Sequence, residues 1–243
     1  MRLCQLPFYG VAISISTIVI CLVSARFVHE YDHYFIYISE SGSQYPQLPL
    51  FGFGLSLSAF IIYICLRIWS SVYSKSSHKT GQINRIINIL GTIGSVCLSL
   101  LSVVSLYQAP VLHTVFAHAF FHSLMIVSFI VTTVSIKTFK HHNPSAFCVP
   151  RWLKFRLAVL FIMVPSILIF VLVPLILGDS PFIHNLAALL QYVSVLMLLL
   201  FFISLKFELQ HVSLVVVYRR LSLSLCLGSV NESLVSDNAW SLV

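Results

Sequence analysis

Six long apolar runs, separated by polar segments too short to fold as domains, set the pattern of this chain. They extend approximately from Phe8 to Phe27, Phe51 to Trp69, Ile86 to Leu106, Val115 to Ile136, Leu157 to Leu177 and Leu186 to Leu205. A helix rising about 1.5 Å per residue needs roughly 20 mostly apolar residues to cross a hydrocarbon core ~30 Å thick, and each run is of that order. The pattern predicts an all-α membrane protein: a six-transmembrane-helix bundle over residues 1–205, with a tail over 206–243.

The gaps differ in character. His29 to Leu50 is the longest on its side, polar and aromatic, with Tyr31, Tyr34, Tyr37 and Tyr45 suited to a membrane interface, where the ring meets hydrocarbon and the hydroxyl meets water. Tyr107 to His113 and Gly178 to Asn185 are short enough to make the helices they join antiparallel neighbours. Ser70 to Arg85 and Lys137 to Arg156 are longer and basic.

Charge then orients the bundle. Of the 14 lysines and arginines, only Arg26 falls on the side that also carries Glu30, Asp32, Glu40 and Asp179. The others (Arg2; Arg67, Lys75, Lys79 and Arg85; Lys137, Lys140, Arg151, Lys154 and Arg156; Lys206, Arg219 and Arg220) fall on the opposite side. Basic residues are retained on the cytosolic face, so both termini are expected to be cytosolic.

With 58% apolar and 9% charged residues in 243, the chain matches its apolar surface to lipid and builds no soluble core. The net charge of +7 does not point to nucleic acid, because the basic residues sit close to membrane ends, where they meet anionic lipid. None of the six cysteines falls in a gap on the Arg26 side, so no disulfide framework is expected; Cys4, Cys148 and Cys226 lie where palmitoylation is open to them, unmodified thiols being the simpler reading. Val23-Ser24-Ala25 resembles a signal-peptidase site, but the preceding apolar run exceeds the ~7 to 15 residues of a signal core, which favours a retained first helix.

Within the spans, Gly52, Gly54, Ser56, Ser58 and Ala59 in the second and Gly91, Gly94, Ser95 and Ser99 in the third are small residues that let helix backbones approach closely. Pro165 and Pro174 remove backbone donors from the fifth and should bend it. No acidic residue falls inside any of the six runs. Arg26 and Arg67 lie near helix ends, where they can snorkel. His118 and His122 share a helix face, with His113 at its mouth. That face fits a pair of neutral, hydrogen-bonded histidines best; a metal site lacks a third ligand, and a luminal proton sensor is the intermediate reading. Gln191 and Tyr192 in the sixth span are buried polar candidates that hydrogen bonding between helices would explain. In the tail, Tyr218 and Leu221 have the spacing of a clathrin-adaptor sorting signal, and the glycosylation triplet at Asn231 falls on the cytosolic side, where it stays unused.

Tyr37-Ile38-Ser39-Glu40-Ser41-Gly42, followed by Phe51-Gly52-Phe53 and Ser58-Ala59-Phe60, resembles the signature of the Frag/DRAM/Sfk family of six-span membrane proteins, most closely its damage-regulated autophagy modulators. Pro110-Val111-Leu112-His113 before the fourth span and the stretch Phe201 to Phe207 support the likeness. The resemblance implies a non-catalytic regulator of autophagy or membrane lipid state in lysosomal or endosomal membranes, with membrane lipids, other membrane proteins and a clathrin adaptor as partners and no cofactor. Relatives of that kind imply an alternative, a lipid-handling protein of the plasma membrane or Golgi concerned with phosphoinositide regulation or GPI-anchor lipid remodelling. A small transporter or channel using the bent fifth helix and the His118/His122 face is a further alternative. The chain departs from the family pattern at Thr114 and Gln191, where relatives often carry acids, which puts in doubt any activity those acids support.

Overall fold

A computed structural model describes residues 3–29, 31, 33–73, 78–142, 149–178 and 180–210. The sorting pattern at Tyr218 and Leu221 and the triplet at Asn231 lie outside them, as do Arg2, Glu30, Asp32, Lys75, Asp179, Cys148 and Cys226. After a single 3-10 turn (Leu3–Gln5), the helices are α1 (Leu6–Val28), α2 (Ile38–Ser41), α3 (Gln47–Tyr73), α4 (His78–Val103), α5 (Pro110–His142), α6 (Arg151–Leu177), α7 (Pro181–Ser204) and α8 (Lys206–Leu209). Six are long and apolar enough to cross a membrane. Hydrocarbon offers no partner to a backbone amide, so helices that satisfy their own ladders are the solution open to such runs.

Polar side chains in the spans are absorbed the same way. On α5 the hydroxyls of Ser128, Thr132 and Ser135 donate to the carbonyls of Leu124, Ser128 and Val131, four residues back, at 2.7 to 2.8 Å. α7 starts sharply because Pro181 occupies its first turn and the Ser180 hydroxyl accepts from the Ile183 amide at 3.3 Å. α6 continues as helix through both Pro165 and Pro174.

α1, α3, α4 and α5 pack in succession, and α6 and α7 form a hairpin that meets this layer less intimately. The small-residue stripes do what lipid-phase association requires. A side chain on Gly54 would overlap Thr17 of α1, and one on Gly91 would press on Leu66. Ser58 donates to the Gly10 carbonyl at 2.9 Å and lies 2.5 Å from the Ser14 hydroxyl, tying α1 to α3. Large apolar residues such as Phe53, Phe129, Phe161 and Phe182 are exposed outward, where lipid would cover them. Cys4, Cys21, Cys65 and Cys97 are free thiols.

The structure corrects the expectation that charge is confined to solvated gaps. The last span continues from α7 through α8 to Leu209 and so includes Glu208. Arg156, expected at the surface, is fully buried. Its guanidinium pairs with Glu208 at 3.1 Å and donates to the Ser204 hydroxyl and carbonyl and to the Ser135 hydroxyl. The Trp69 indole N–H donates at 2.7 Å to Glu208 Oε2, the oxygen that also pairs with the guanidinium, and the rings of Trp152 and Phe201 cover the guanidinium. Charges withdrawn from water persist only when paired and hydrogen-bonded, and this pair joins α3, α5, α6 and α7 at the basic end of the bundle.

Candidate functional site: a capped cavity in the bundle

Where the α6–α7 hairpin meets the rest of the bundle, the packing leaves a cavity of about 460 Å³. Gln191 and Phe202, which mark its extent along α7, are eleven residues apart, so it reaches about 16 Å into the bundle at the helical rise. Its walls are graded. Tyr37, Ser39, His113, Thr114, His118 and Gln191 lie toward the α2 end, and the deeper wall is leucine and phenylalanine, including Leu124, Leu198 and Phe202. Among the described residues no aspartate, glutamate, lysine or arginine lines it.

The segment between α1 and α3 forms the cap, and it is bonded to α7 along its length. The Asn185 amide oxygen accepts from Phe35 N at 2.7 Å, the Gln191 amide oxygen accepts from Ile38 N at 2.8 Å, and the Tyr192 hydroxyl donates to Ile36 O at 2.6 Å. Gln191 therefore bonds the first residue of the short helix α2 and Tyr192 the segment just before it, so both side chains hold the cap rather than a second spanning helix. Arg26 does not simply snorkel; its guanidinium donates to the carbonyls of His33 and Tyr34. The Gln47 amide oxygen accepts from His29 Nε2 at 3.2 Å, and its amide nitrogen donates to the Ser24 hydroxyl at 2.8 Å.

The signature residues build the cap itself. Glu40 accepts from Tyr37 N at 2.7 Å, closing the single turn of α2. Ser41 donates to Ile38 O and Ser43 to Ser39 O, while Ser105 at the end of α4 donates to Ser43 O. Gly42 has φ −104°, a value any residue adopts, so backbone freedom is not what requires glycine there. A side chain there would overlap the ring of Phe51, which is seated against it and lines the cavity. Gly52 faces Val103 and the Ser102 carbonyl of α4, whereas Phe53 is exposed to the lipid side.

Above the cavity, Glu40 lies 3.6 Å from His184 Nε2, whose ring stacks on His33 at 3.8 Å and meets the edge of Tyr37 at 4.5 Å. Burial holds the Glu40 carboxyl above its ordinary range, opposed by the Tyr37 amide and by His184 and His33. Sequence reading missed this cluster. The available signal was an acid within the family signature, Glu40, on the same side of the membrane as two histidines in separate gaps, His33 and His184. The histidines it did single out divide: His113 and His118 line the cavity, and His122 does not. His113 Nδ1 donates to Val104 O and His122 Nδ1 to His118 O, both at 2.7 Å. Among the described residues no three of His, Cys, Asp and Glu converge as a metal-ligand set.

Six membrane-crossing helices around an apolar cavity, capped by the segment between the first two, define a multi-pass integral membrane protein. The chain belongs to the family described as Frag1/DRAM/Sfk1/Cwh43P N-terminal domain, which matches residues 2–212; the autophagy modulators are one group of that family. No curated protein and no solved structure matches it.

Proposed function

We propose that this protein is a non-catalytic membrane regulator that works by holding the apolar part of a membrane lipid in the capped cavity, with the lipid's polar end toward Ser39, His113 and Gln191. The cavity carries this reading. Its volume of about 460 Å³ lies within the ~300 to 1,000 Å³ of small-molecule sites, and its grade from polar mouth to leucine and phenylalanine floor matches an amphipathic ligand. The same grade disfavours a transporter or channel, because a passing ion needs polar groups along its whole path and the floor offers only the Ser14 hydroxyl, which is spent on Ser58.

Family membership and the cap sequence support a role like that of the autophagy modulators, in lysosomal or endosomal membranes. On this reading Tyr218 and Leu221 serve as the adaptor signal. Microscopy of the tagged chain against lysosomal, Golgi and surface markers checks the compartment, and Tyr218→Ala should move the protein to the cell surface.

The cavity is tested by native mass spectrometry of the purified protein with its co-purifying lipids. Ala117→Phe, which fills the cavity from α5, should lower lipid retention severalfold while thermal stability holds. Undiminished retention in a folded Ala117→Phe variant would sink the reading.

A further inference from the structure

A second concavity opens at the opposite, basic end, between α3 and α4, with a volume of about 610 Å³. Its two walls differ in chemistry along their length. At the end of the bundle stand Arg67 of α3 and Arg85 of α4, both exposed, with Asn84 and Asn88 between them and the helix interface. Farther into the membrane the lining changes to Ile89, Thr92 and Ile93; the isoleucines are 49% and 42% exposed to the lipid side, and the Thr92 hydroxyl is spent on the Asn88 carbonyl. Arg85, Ile89 and Ile93 are successive i, i+4 positions, so one stripe of α4 runs about 12 Å from guanidinium to hydrocarbon.

The polar end carries unspent capacity. The ion pairs among the described residues are Arg156 with Glu208 and His184 with Glu40, so neither Arg67 nor Arg85 has a carboxylate partner there. Arg67 leans on the Tyr63 ring at 6.0 Å, which holds its stem while leaving its donors outward. Asn84 is 5% exposed, and its amide nitrogen has no hydrogen-bond partner; the Asn88 amide oxygen is likewise buried and unpartnered. Buried amides without partners are uncommon in a settled helix interface.

We propose that this groove holds an anionic phospholipid, its phosphate-bearing headgroup between Arg67 and Arg85 and one acyl chain along Ile89 and Ile93. Guanidinium forks fit phosphate oxygens in pairs, and two of them facing one site favour a phosphate monoester over a zwitterionic headgroup. The lipid, and not a soluble phosphate, is the occupant because the lining continues as an apolar lane toward the lipid. The charge division assigns this end to the cytosolic leaflet, where anionic lipid is concentrated. The site is separate from the capped cavity and does not depend on it.

Full-length protein in detergent, stripped of lipid and titrated with phosphatidic acid, phosphatidylcholine or glycerol 3-phosphate under native mass spectrometry, tests the assignment. Phosphatidic acid should be retained at least about tenfold better than phosphatidylcholine, and less so as salt rises. Arg67→Gln with Arg85→Gln should remove that preference at an unchanged melting temperature, and Arg67→Lys with Arg85→Lys should keep part of it. Should the double glutamine variant melt early, Arg85→Gln alone gives the answer with a severalfold loss of preference. Ala117→Phe should leave the preference intact. A preference that survives in Arg85→Gln and in the double variant would overturn the proposal. So would glycerol 3-phosphate displacing the lipid at equal concentration, which would make the site one for soluble phosphate.

Discussion

The ring of Phe51 occupies the space a side chain on Gly42 would need, so the cap and the first turns of α3 are fitted to one another at a single point. Phe51 is 2% exposed and lines the cavity directly beneath the cap. The two halves of the family signature, the serine-glycine loop and the aromatic-glycine helix start, are thus one packing unit.

Gly42→Ala should therefore lower stability by about 1 to 3 kcal/mol through overpacking, read as an earlier melting midpoint in detergent. Phe51→Leu alone costs stability by leaving a void, but in combination with Gly42→Ala it should cost less than the sum of the two. Strict additivity would show that the residues do not share the space. Tyr45→Phe should be nearly neutral because Tyr45 is 72% exposed.

The Arg156–Glu208 pair gives a sharper contrast. Arg156→Met leaves the Glu208 carboxylate buried with the Trp69 N–H and the Tyr73 hydroxyl as its remaining partners, at a cost of about 3 to 5 kcal/mol. Arg156→Met with Glu208→Met removes both charges and should recover most of that loss. If the double variant melts no higher than the single one, the pair's hydrogen bonds to Ser135 and Ser204 matter more than its charge balance.

These cases show what sequence conveys and what it does not. Span number and order follow from runs of apolar residues, which are properties of neighbouring positions. Arg156 and Glu208 lie 52 residues apart, each near the end of an apolar run, where a charge ordinarily meets water; only the packing of α6, α7 and α8 with α3 and α5 encloses them. Trp152, Leu153, Val159 and Leu160, which surround Arg156 at helical spacing, were the available hint. The cap follows the same logic. Gln191 was legible as a buried polar residue, but its partner, the Ile38 amide, is 153 residues away in a segment with no apolar period to place it. His118 and His122 share a helix face as their spacing indicates, yet only His118 lines the cavity, because its wall is formed jointly with α7.

Orientation is tested independently of stability. Glycosylation sites engineered near residue 44 should be modified, and sites near residue 145 should not, in keeping with the confinement of basic residues to alternate gaps. Modification near 145 would invert the bundle and place the Arg67–Arg85 groove in the other leaflet.

The cap should tighten on acidification of its side of the membrane. Burial raises the Glu40 carboxyl above its ordinary value of 4.5, and the neighbouring Tyr37 amide, His184 and His33 only partly offset this. A carboxyl whose docked-state value is raised binds more protons docked than undocked throughout the interval between the two values. Its contribution to docking is therefore complete below 4.5 and is lost as pH rises through the raised docked value. The groups facing it are His184 of α7, His33 of the cap, Tyr37 just before α2 and, at longer range, Tyr31, Tyr192 and Tyr107 beyond α4, the last with a hydroxyl itself shifted upward by burial and by Glu40. The protection of amides 36–43 against hydrogen exchange, taken relative to their intrinsic rate at each pH, should rise as the pH is lowered from 7 toward that interval. Glu40→Gln, which keeps the shape without the titration, should flatten the dependence and protect the cap at neutral pH. His184→Gln should leave a Glu40-driven slope in place, so a slope lost in His184→Gln and kept in Glu40→Gln would move the titrating group from the carboxyl to the imidazole.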